Sequence, residues 1–291
     1  MLFIIGLIIV FVSIITGYLM HYGDLTLLWQ PNEIIIIVGA GIGASIISNP
    51  YHVLKKSISS LKYLFKGSPY NKDDYLELLI FAFKVFTIMK DKGPVGIEQH
   101  IENPKDSELF KEAVSIYQNE DNVEFICNNL RLITMGLTDV SQFEEMIDKE
   151  IEVFTESSAA PTKAYLSLGD SLPALGIVAA VLGVIVTMRS ILEPPEILGS
   201  LIAAALVGTF TGVLFAYGVF LPIAHFLKKY FSNQVQYLEC IKSGIIGYLN
   251  KQPPVIIIEY MRKTIPDSFR PAFLELEEVI LENKRIMNSN K

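Results

Sequence analysis

Four long apolar stretches dominate this sequence, and each is long enough to cross a lipid bilayer. They occupy residues 2–20, 34–54, 170–188 and 199–227, and Asp170, at the edge of the third, is the only charged residue among them. A transmembrane helix needs about 20 mostly apolar residues at about 1.5 Å of rise per residue. The sequence therefore predicts an all-α membrane protein with four transmembrane helices.

Composition adds a substantial water-exposed part to these spans. The chain has 291 residues, of which 51% are hydrophobic and 19% charged, with a mean hydropathy of +0.40. The net charge of −7 argues against nucleic-acid binding, which needs a basic surface. Cys127 and Cys240 lie far apart and predict free thiols, and the four scattered histidines give no metal-ligand spacing.

Residues 2–20 have two interpretations, a retained span and a cleaved signal peptide. No basic segment precedes the apolar run, and no cleavage site with small residues follows it. The retained span is therefore favoured.

Lysines in the connecting segments orient the four spans. Lys55, Lys56, Lys62 and Lys66 follow the second span, and Lys228 and Lys229 follow the fourth. The positive-inside rule places both sides and both termini in the cytoplasm. Four domains follow: spans one and two at residues 1–50, a helical cytoplasmic domain at 51–167, spans three and four at 168–227, and a helical cytoplasmic tail at 228–291.

The cytoplasmic domain is predicted to contain only helices. Residues 51–66 alternate apolar side chains with lysines and predict a helix at the lipid headgroups. Residues 73–89 are very apolar but contain Glu77 and Lys84, which predicts a buried helix rather than a fifth span. Further helices are expected at 106–118, 122–135 and 140–155, with residues 156–161 as a link into the third span.

The third and fourth spans carry small and hydroxyl residues where a lipid-facing helix would carry larger apolar ones. They are Gly176, Ala179, Ala180, Gly183, Thr187, Gly208, Thr209, Thr211, Gly212 and Tyr217. Small residues let membrane helices pack closely, and hydroxyls in lipid need a partner. Ion movement normally needs an ionisable side chain at depth. The spans show none, so we expect a second subunit to supply that group.

Residues 34–44 contain a possible dinucleotide-binding pattern. Gly39, Gly41 and Ala44 satisfy G-x-G-x-x-A after an apolar run. The acidic residue expected about 20 positions later is missing, because that region is basic. Packing of membrane helices through Gly39 and Gly43 is the favoured interpretation, and a membrane oxidoreductase that would bind flavin or nicotinamide here is the alternative.

Asp170 and two prolines are further candidates. Asp170, three residues before Pro173, is interpreted either as a helix cap or as a gate for cations. Pro222 lies inside an apolar helix and must free a backbone carbonyl near Gly218. A static kink and a hinge are both compatible with that position.

Longer motifs resemble the MotA family of flagellar stator proteins. The third span, from Gly169-Asp-Ser-Leu-Pro to Gly183, and the fourth, from Val207-Gly-Thr-Phe-Thr-Gly to Pro222, are similar to the family signatures. Similar segments also occur at 30–31, 39–43, 101–104, 258–264 and 270–278. The resemblance covers nearly the whole chain in matching order.

The resemblance implies a torque generator of the bacterial inner membrane rather than an enzyme. Several copies, five in the expected ring, would surround two copies of MotB, whose span supplies the proton-binding Asp. Pro173 and Pro222 match the prolines that couple ion passage to shape change, and Thr209 matches the hydroxyl facing that Asp. Tyr217 and Asp170 complete the expected ion pathway.

The resemblance also implies a rotor contact and an ion. Lys90 and Glu98 match the charged pair that engages the rotor protein FliG, although an exposed pair alone would carry little weight. Ala180 stands where sodium-driven relatives carry Thr, so protons are expected. No cofactor or metal is expected. The alternative function is an ExbB/TolQ-type energiser of outer-membrane transport, which resembles the inner spans but has three spans in all.

Overall fold

The computed structural model describes residues 2–289, with side chains as far as Arg285, and every regular element in that part is a helix. The first half contains α1 (Leu2–Met20), α2 (Leu25–Leu28), α3 (Pro31–Ile34), a π-helix (Ile35–Gly39), α4 (Ala40–Ser48), α5 (Tyr51–Ser60), α6 (Tyr63–Lys66), α7 (Lys72–Lys92), a 3₁₀ turn (Pro94–Ile97), α8 (Glu98–Glu102), α9 (Glu108–Glu112), α10 (Val114–Tyr117) and α11 (Glu120–Thr134). The second half contains α12 (Val140–Met188), α13 (Pro195–Phe215), a second π-helix (Ala216–Phe220), α14 (Leu221–Leu249), α15 (Pro254–Thr264) and α16 (Phe273–Ser289).

Four helical segments are long and apolar enough to cross a membrane. They are Leu2–Met20, Leu25–Ser48, Val140–Met188 and Pro195–Leu249. The prediction of four long apolar helices is therefore confirmed. The second segment begins earlier than expected, at Leu25, where the Asp24 side chain caps α2; Pro31 then starts a further helical turn that includes Glu33. It ends at Ser48, where Pro50 breaks the helix as predicted.

The first compact unit consists of residues up to Gly67 together with Ser157–Phe231. One of its apolar clusters is formed by Ile37, Leu172, Ala179 and Ala216. A second cluster surrounds Tyr165, whose hydroxyl donates a hydrogen bond of 3.0 Å to the carbonyl oxygen of Ser57. The outward faces of its long helices are apolar, as in Ile8, Ile9 and Val12 of α1 and Val181 and Ile185 of α12, all exposed.

The second compact unit consists of Ser68–Glu156 together with the chain from Ser232 onward. Its core is one large apolar cluster to which α7 contributes more residues than any other helix. Asn71 caps α7 by accepting hydrogen bonds from the backbone N–H groups of Asp73 and Asp74. Both cysteines are free and buried, and burial raises the pKa of the Cys127 thiol to about 11.

The two charges in the middle of α7, Glu77 and Lys84, both have partners, which explains how a buried helix tolerates them. Lys84 Nζ lies 2.7 Å from Glu112 Oε2, and Glu77 Oε1 accepts a hydrogen bond of 2.8 Å from the backbone N–H of Ser115. α7 is not among the segments that could span a membrane. The prediction of a buried helix here is confirmed.

The predicted link at residues 156–161 is wrong, because α12 continues through it without a break. Pro161 lies inside the helix, where it removes only one backbone hydrogen bond. The residues around it are buried, including Ser158, Thr162 and Ala164, so packing holds the helix together across the proline. Local composition predicted a loop that tertiary packing overrides.

Two other predicted helices are each divided in the structure. Residues 51–66 form α5 and α6, separated at Leu61 and Lys62. Residues 106–118 form α9 and α10, separated at Ala113. Ser107 caps the start of α9, where its hydroxyl oxygen accepts a hydrogen bond from the N–H of Phe110.

Candidate functional site

The candidate pathway is built on a close crossing of α12 and α13 through their glycines. A methyl group on Gly176 would lie 2.9 Å from the carbonyl oxygen of Gly208 and 3.2 Å from Cα of Gly212. One on Gly212 would lie 2.6 Å from the carbonyl oxygen of Leu172. The two distances to carbonyl oxygens, 2.9 and 2.6 Å, are shorter than a side chain permits, so only glycine lets the two backbones meet here.

Thr209 and Ala180 lie at this crossing. Thr209 is half-buried, and its Cα would lie 3.3 Å from a β-carbon on Gly176. A β-carbon on Gly208 would lie 3.2 Å from the backbone nitrogen of Ala180. Both predicted residues therefore lie along the α12–α13 crossing, Thr209 against Gly176 and Ala180 against Gly208.

Pro173 and Asp170 both lie within α12. The helix runs unbroken from Val140 to Met188, so Asp170 does not begin a helix and the capping interpretation is wrong. Its side chain is exposed. Next to it, a β-carbon on Gly169 would lie 2.8 Å from Cδ2 of Leu221, the residue before Pro222. Asp170 and Pro222 thus flank one helix contact.

Pro222 follows an irregular turn of helix. The π-helix Ala216–Phe220 ends two residues before it and includes Gly218 and Tyr217. Proline lacks the N–H that a regular helix needs, and π-turns often accompany such a break. Tyr217 points outward, with 66% of its surface exposed. It does not share the α12–α13 crossing with Thr209.

The G-x-G-x-x-A segment lies inside a helix. Gly39 ends the first π-helix and Ala40–Ser48 continue as α4, so the strand that a dinucleotide site requires is absent from residues 2–289. Gly41 is the glycine that packs, since its β-carbon would lie 3.0 Å from Cδ1 of Leu168. No described atom comes within 4 Å of such a carbon on Gly39 or Gly43, so that pair makes no close helix contact within the described part of this chain.

Glu33 is a site residue that the sequence interpretation missed. Its side chain is 8% exposed, within the helical segment Leu25–Ser48. Its Oε2 atom has no hydrogen-bond partner among the described residues and would lie 2.8 Å from a β-carbon on Gly208. The sequence interpretation began the second span at residue 34 and so left this buried acid, near the exposed end of the segment, outside it. Pro31 at the first helical position was the available signal, because it places Glu33 inside the helix.

Lys90 and Glu98 lie in the second unit, both exposed. Lys90 is in the last turn of α7, and Glu98 begins α8 after the 3₁₀ turn. The two side chains form no ion pair with each other or with any other residue whose side chain is described. Both charges are therefore available at the surface. Across residues 2–289, no cluster of three or more His, Cys, Asp or Glu side chains could hold a metal ion.

Two family models match the chain. One, described as motility protein A N-terminal, matches residues 4–93. The other, the MotA/TolQ/ExbB proton channel family, matches residues 117–240. Together they include every candidate site residue except Glu98, which lies between the two matched regions.

Characterised relatives are similar over almost their full length. Motility protein A of Salmonella typhimurium is 38% identical over 291 residues, covering 100% of this chain and 98% of the relative. Motility protein A of Escherichia coli is 39% identical over 278 residues, covering 96% of this chain and 94% of the relative. The solved structure of the flagellar MotAB stator complex from Bacillus subtilis contains a chain with the same fold. The two superpose with a TM-score of 0.75 and 24% identity, over 92% of this chain and 97% of that chain.

Proposed function

The chain belongs to the MotA family of motility proteins, and we propose that it is a membrane-embedded stator subunit of the flagellar motor that acts with a MotB partner. The observation that carries this proposal is the full-length similarity to motility protein A combined with four long apolar helices. In this role the chain is part of an ion channel and not an enzyme.

We place the protein in the inner membrane with both termini in the cytoplasm. The lysines after the second and fourth apolar segments support this orientation. Residues 51–167 and 228–291 would then form the cytoplasmic domain and tail, and residues 1–50 and 168–227 the membrane part. This assignment puts Lys90 and Glu98 on the side where a cytoplasmic rotor is accessible.

The exposed apolar helix faces of the first unit support assembly within the membrane. Side chains such as Ile8, Val12, Val181 and Ile185 need lipid or other subunits to cover them. We propose a ring of this chain, five copies in the expected arrangement, around two MotB helices. Each MotB helix would bring the Asp that binds and releases protons.

The ion pathway in this proposal runs beside the α12–α13 crossing. Thr209 would offer its hydroxyl towards the MotB carboxyl, and Ala180 at the same crossing has no oxygen with which to bind sodium, which favours protons. Pro173 and Pro222 would let α12 and α14 change shape when that carboxyl changes charge. Asp170 and Tyr217 would lie along the same route.

Torque would pass to the rotor through Lys90 and Glu98. Both are exposed and unpaired, as a transient charged contact with FliG requires. Lys90 keeps the positive charge of the arginine found at this position in better-known relatives. It lacks the planar guanidinium group that lets arginine donate two parallel hydrogen bonds.

The test is restoration of swimming in a motA deletion strain together with proton flux in liposomes that contain the chain and its MotB partner. We expect both to require the two proteins together. The alternative, an energiser of the ExbB/TolQ type, has three spans, whereas this chain has four such helices and matches the motility-specific N-terminal family model. Restored outer-membrane transport without restored swimming would favour that alternative.

A further inference from the structure

Glu33 is the one carboxyl group buried within an apolar helical segment of the described chain. It lies in α3 one turn before Ile37, which is fully buried, so both residues face inward from the same side of the helix. Pro31 and Asn32, just before it, are exposed. The carboxyl group is thus the first buried group that a proton entering from the exposed end of this segment would meet.

Glycines of α12 and α13 make room for the Glu33 carboxyl. A β-carbon on Gly208 would lie 2.8 Å from Oε2, and one on Gly183 would lie 3.6 Å from Oε1. Ala205 of α13 packs against Gly183, because a β-carbon added to Gly183 would lie 2.8 Å from the β-carbon of Ala205. Any larger residue at Gly208 would occupy the space that the carboxyl group fills.

The surroundings of Glu33 offer no charge or hydrogen bond that would balance a carboxylate. Oε2 is buried without a hydrogen-bond partner among the described residues, and the carboxyl group lies against Gly208 and Gly183. The nearest charged residues on the packed helices are Arg189, six residues after Gly183, and Glu196, twelve before Gly208. In the preceding loop His21 is exposed, and Asp24 is bonded to Thr26. Burial of Oε2 without a partner disfavours the charged carboxylate, which favours the binding of a proton or a cation there.

We propose that Glu33 is a second proton-binding site, contributed by this chain, which passes protons to the pathway lined by Thr209. The proposal deepens the proposed function and rests on it. Gly208, which touches the carboxyl group, directly precedes Thr209. In one step a hydronium ion gives its proton to the Glu33 carboxylate and leaves as water. In the next, the neutral Glu33 acid gives that proton, through water, to the MotB carboxylate and regains its negative charge.

The first experiment measures proton flux in liposomes that contain the complex of this chain with its MotB. Glu33→Gln keeps the size of the side chain but cannot carry a proton, and we expect it to lower flux by about 10²-fold, the lower range for a positioned acid–base group. Glu33→Asp should retain part of the flux. Glu196→Gln, an exposed acid at the start of α13, is the matched control and should leave flux unchanged. Co-purification with MotB checks that each variant assembles.

The second experiment is independent of conduction. Infrared difference spectra of the purified chain, recorded between high and low pH in sodium-free buffer, should contain a carboxyl C=O band that Glu33→Gln removes and Glu196→Gln retains. Full flux in an assembled Glu33→Gln complex, or a spectrum that this change does not alter, would overturn the proposed proton transfer through Glu33. A change in the spectrum on adding sodium at constant pH would overturn proton binding in favour of a cation. A wild-type complex without any flux would instead contradict the proposed function, while the spectra would still show whether Glu33 binds a proton.

Discussion

Gly176 and Gly212 meet backbone to backbone, since a methyl group on Gly212 would lie 2.9 Å from Cα of Gly176. This contact holds α12 and α13 together beside Thr209. Because the atoms in the way belong to the backbone, a side chain at either position cannot be accommodated by a rotamer change.

Gly212→Ala should therefore disrupt the crossing. We expect a loss of about 1–3 kcal/mol, typical of overpacking, and loss of swimming. Gly199→Ala is the matched control, because no atom lies within 4 Å of its new methyl group. Thermal unfolding of both variants in detergent gives the comparison. Equal melting temperatures for the two would mean that the helices do not depend on this contact.

Thr209→Ile should block proton flux while the complex still assembles. Isoleucine keeps the branched β-carbon but removes the hydroxyl and adds bulk at the crossing with α12. Thr209→Val removes only the hydroxyl, and Thr209→Ser keeps it. On soft agar we expect the Thr209→Ser strain to swim farther than the Thr209→Val strain. The Thr209→Val strain should swim at least as far as the Thr209→Ile strain. Co-purification with MotB is the control for assembly. Swimming unaffected by Thr209→Ile would exclude a pore-lining role.

Lys90→Glu should weaken torque without unfolding the protein. Exposed substitutions change stability by about 0.5 kcal/mol or less, so the defect would come from the rotor contact. Lys92→Glu, in the same last turn of α7 and also exposed, is the control. We expect a charge reversal in FliG to restore swimming in part for Lys90→Glu. If no FliG reversal restores it, Lys90 is only a surface charge.

Glu259 and Arg262 should make the stability of the second unit depend on pH. Arg262 donates two hydrogen bonds of 2.8 Å to the Glu259 carboxylate, which lowers the pKa of Glu259 below its ordinary value of 4.5. A carboxyl whose pKa is lower in the folded state adds stability above its unfolded pKa. That stability disappears as the pH falls below 4.5 and through the folded value.

Glu259→Gln tests this linkage. The variant should be less stable than wild type by about 1 kcal/mol at pH 7, and the difference should shrink as the pH falls below Glu259's ordinary pKa. Glu278→Gln, an exposed acid on α16, serves as the control. Melting temperatures recorded as a function of pH provide the measurement. A difference that stays constant down to low pH would exclude this ion pair as its source.

Local features of the sequence were enough to predict the helical elements. Uncharged runs predicted four apolar helices, Pro50 predicted the end of the second, and Glu77 with Lys84 marked α7 as buried rather than membrane-spanning. These predictions depend on hydropathy and on backbone chemistry within about 20 neighbouring residues. The same local reasoning failed at residues 156–161, where packing carries α12 past Pro161.

The motifs of the third and fourth spans identified the MotA family, and the relatives confirm it. Sequence spacing also predicted that small residues bring α12 and α13 together, as Gly176, Gly208 and Gly212 do. In the second span it pointed to Gly39 and Gly43, whereas within the described part of this chain the close contact is made by Gly41. A regular spacing of small residues along one helix predicts that they lie on the same face. It does not predict whether that face packs against another helix.

The amino-acid sequence by itself thus determined the helices, their apolar character and the family, because these are encoded in contiguous residues. Only the tertiary structure decided that Glu33 is buried against Gly183 and Gly208. Those glycines lie 150 and 175 positions further along the chain, and hydropathy takes no account of such distant neighbours. Whether an acid at the end of an apolar run faces water or a helix depends on which backbones approach closely enough to enclose it.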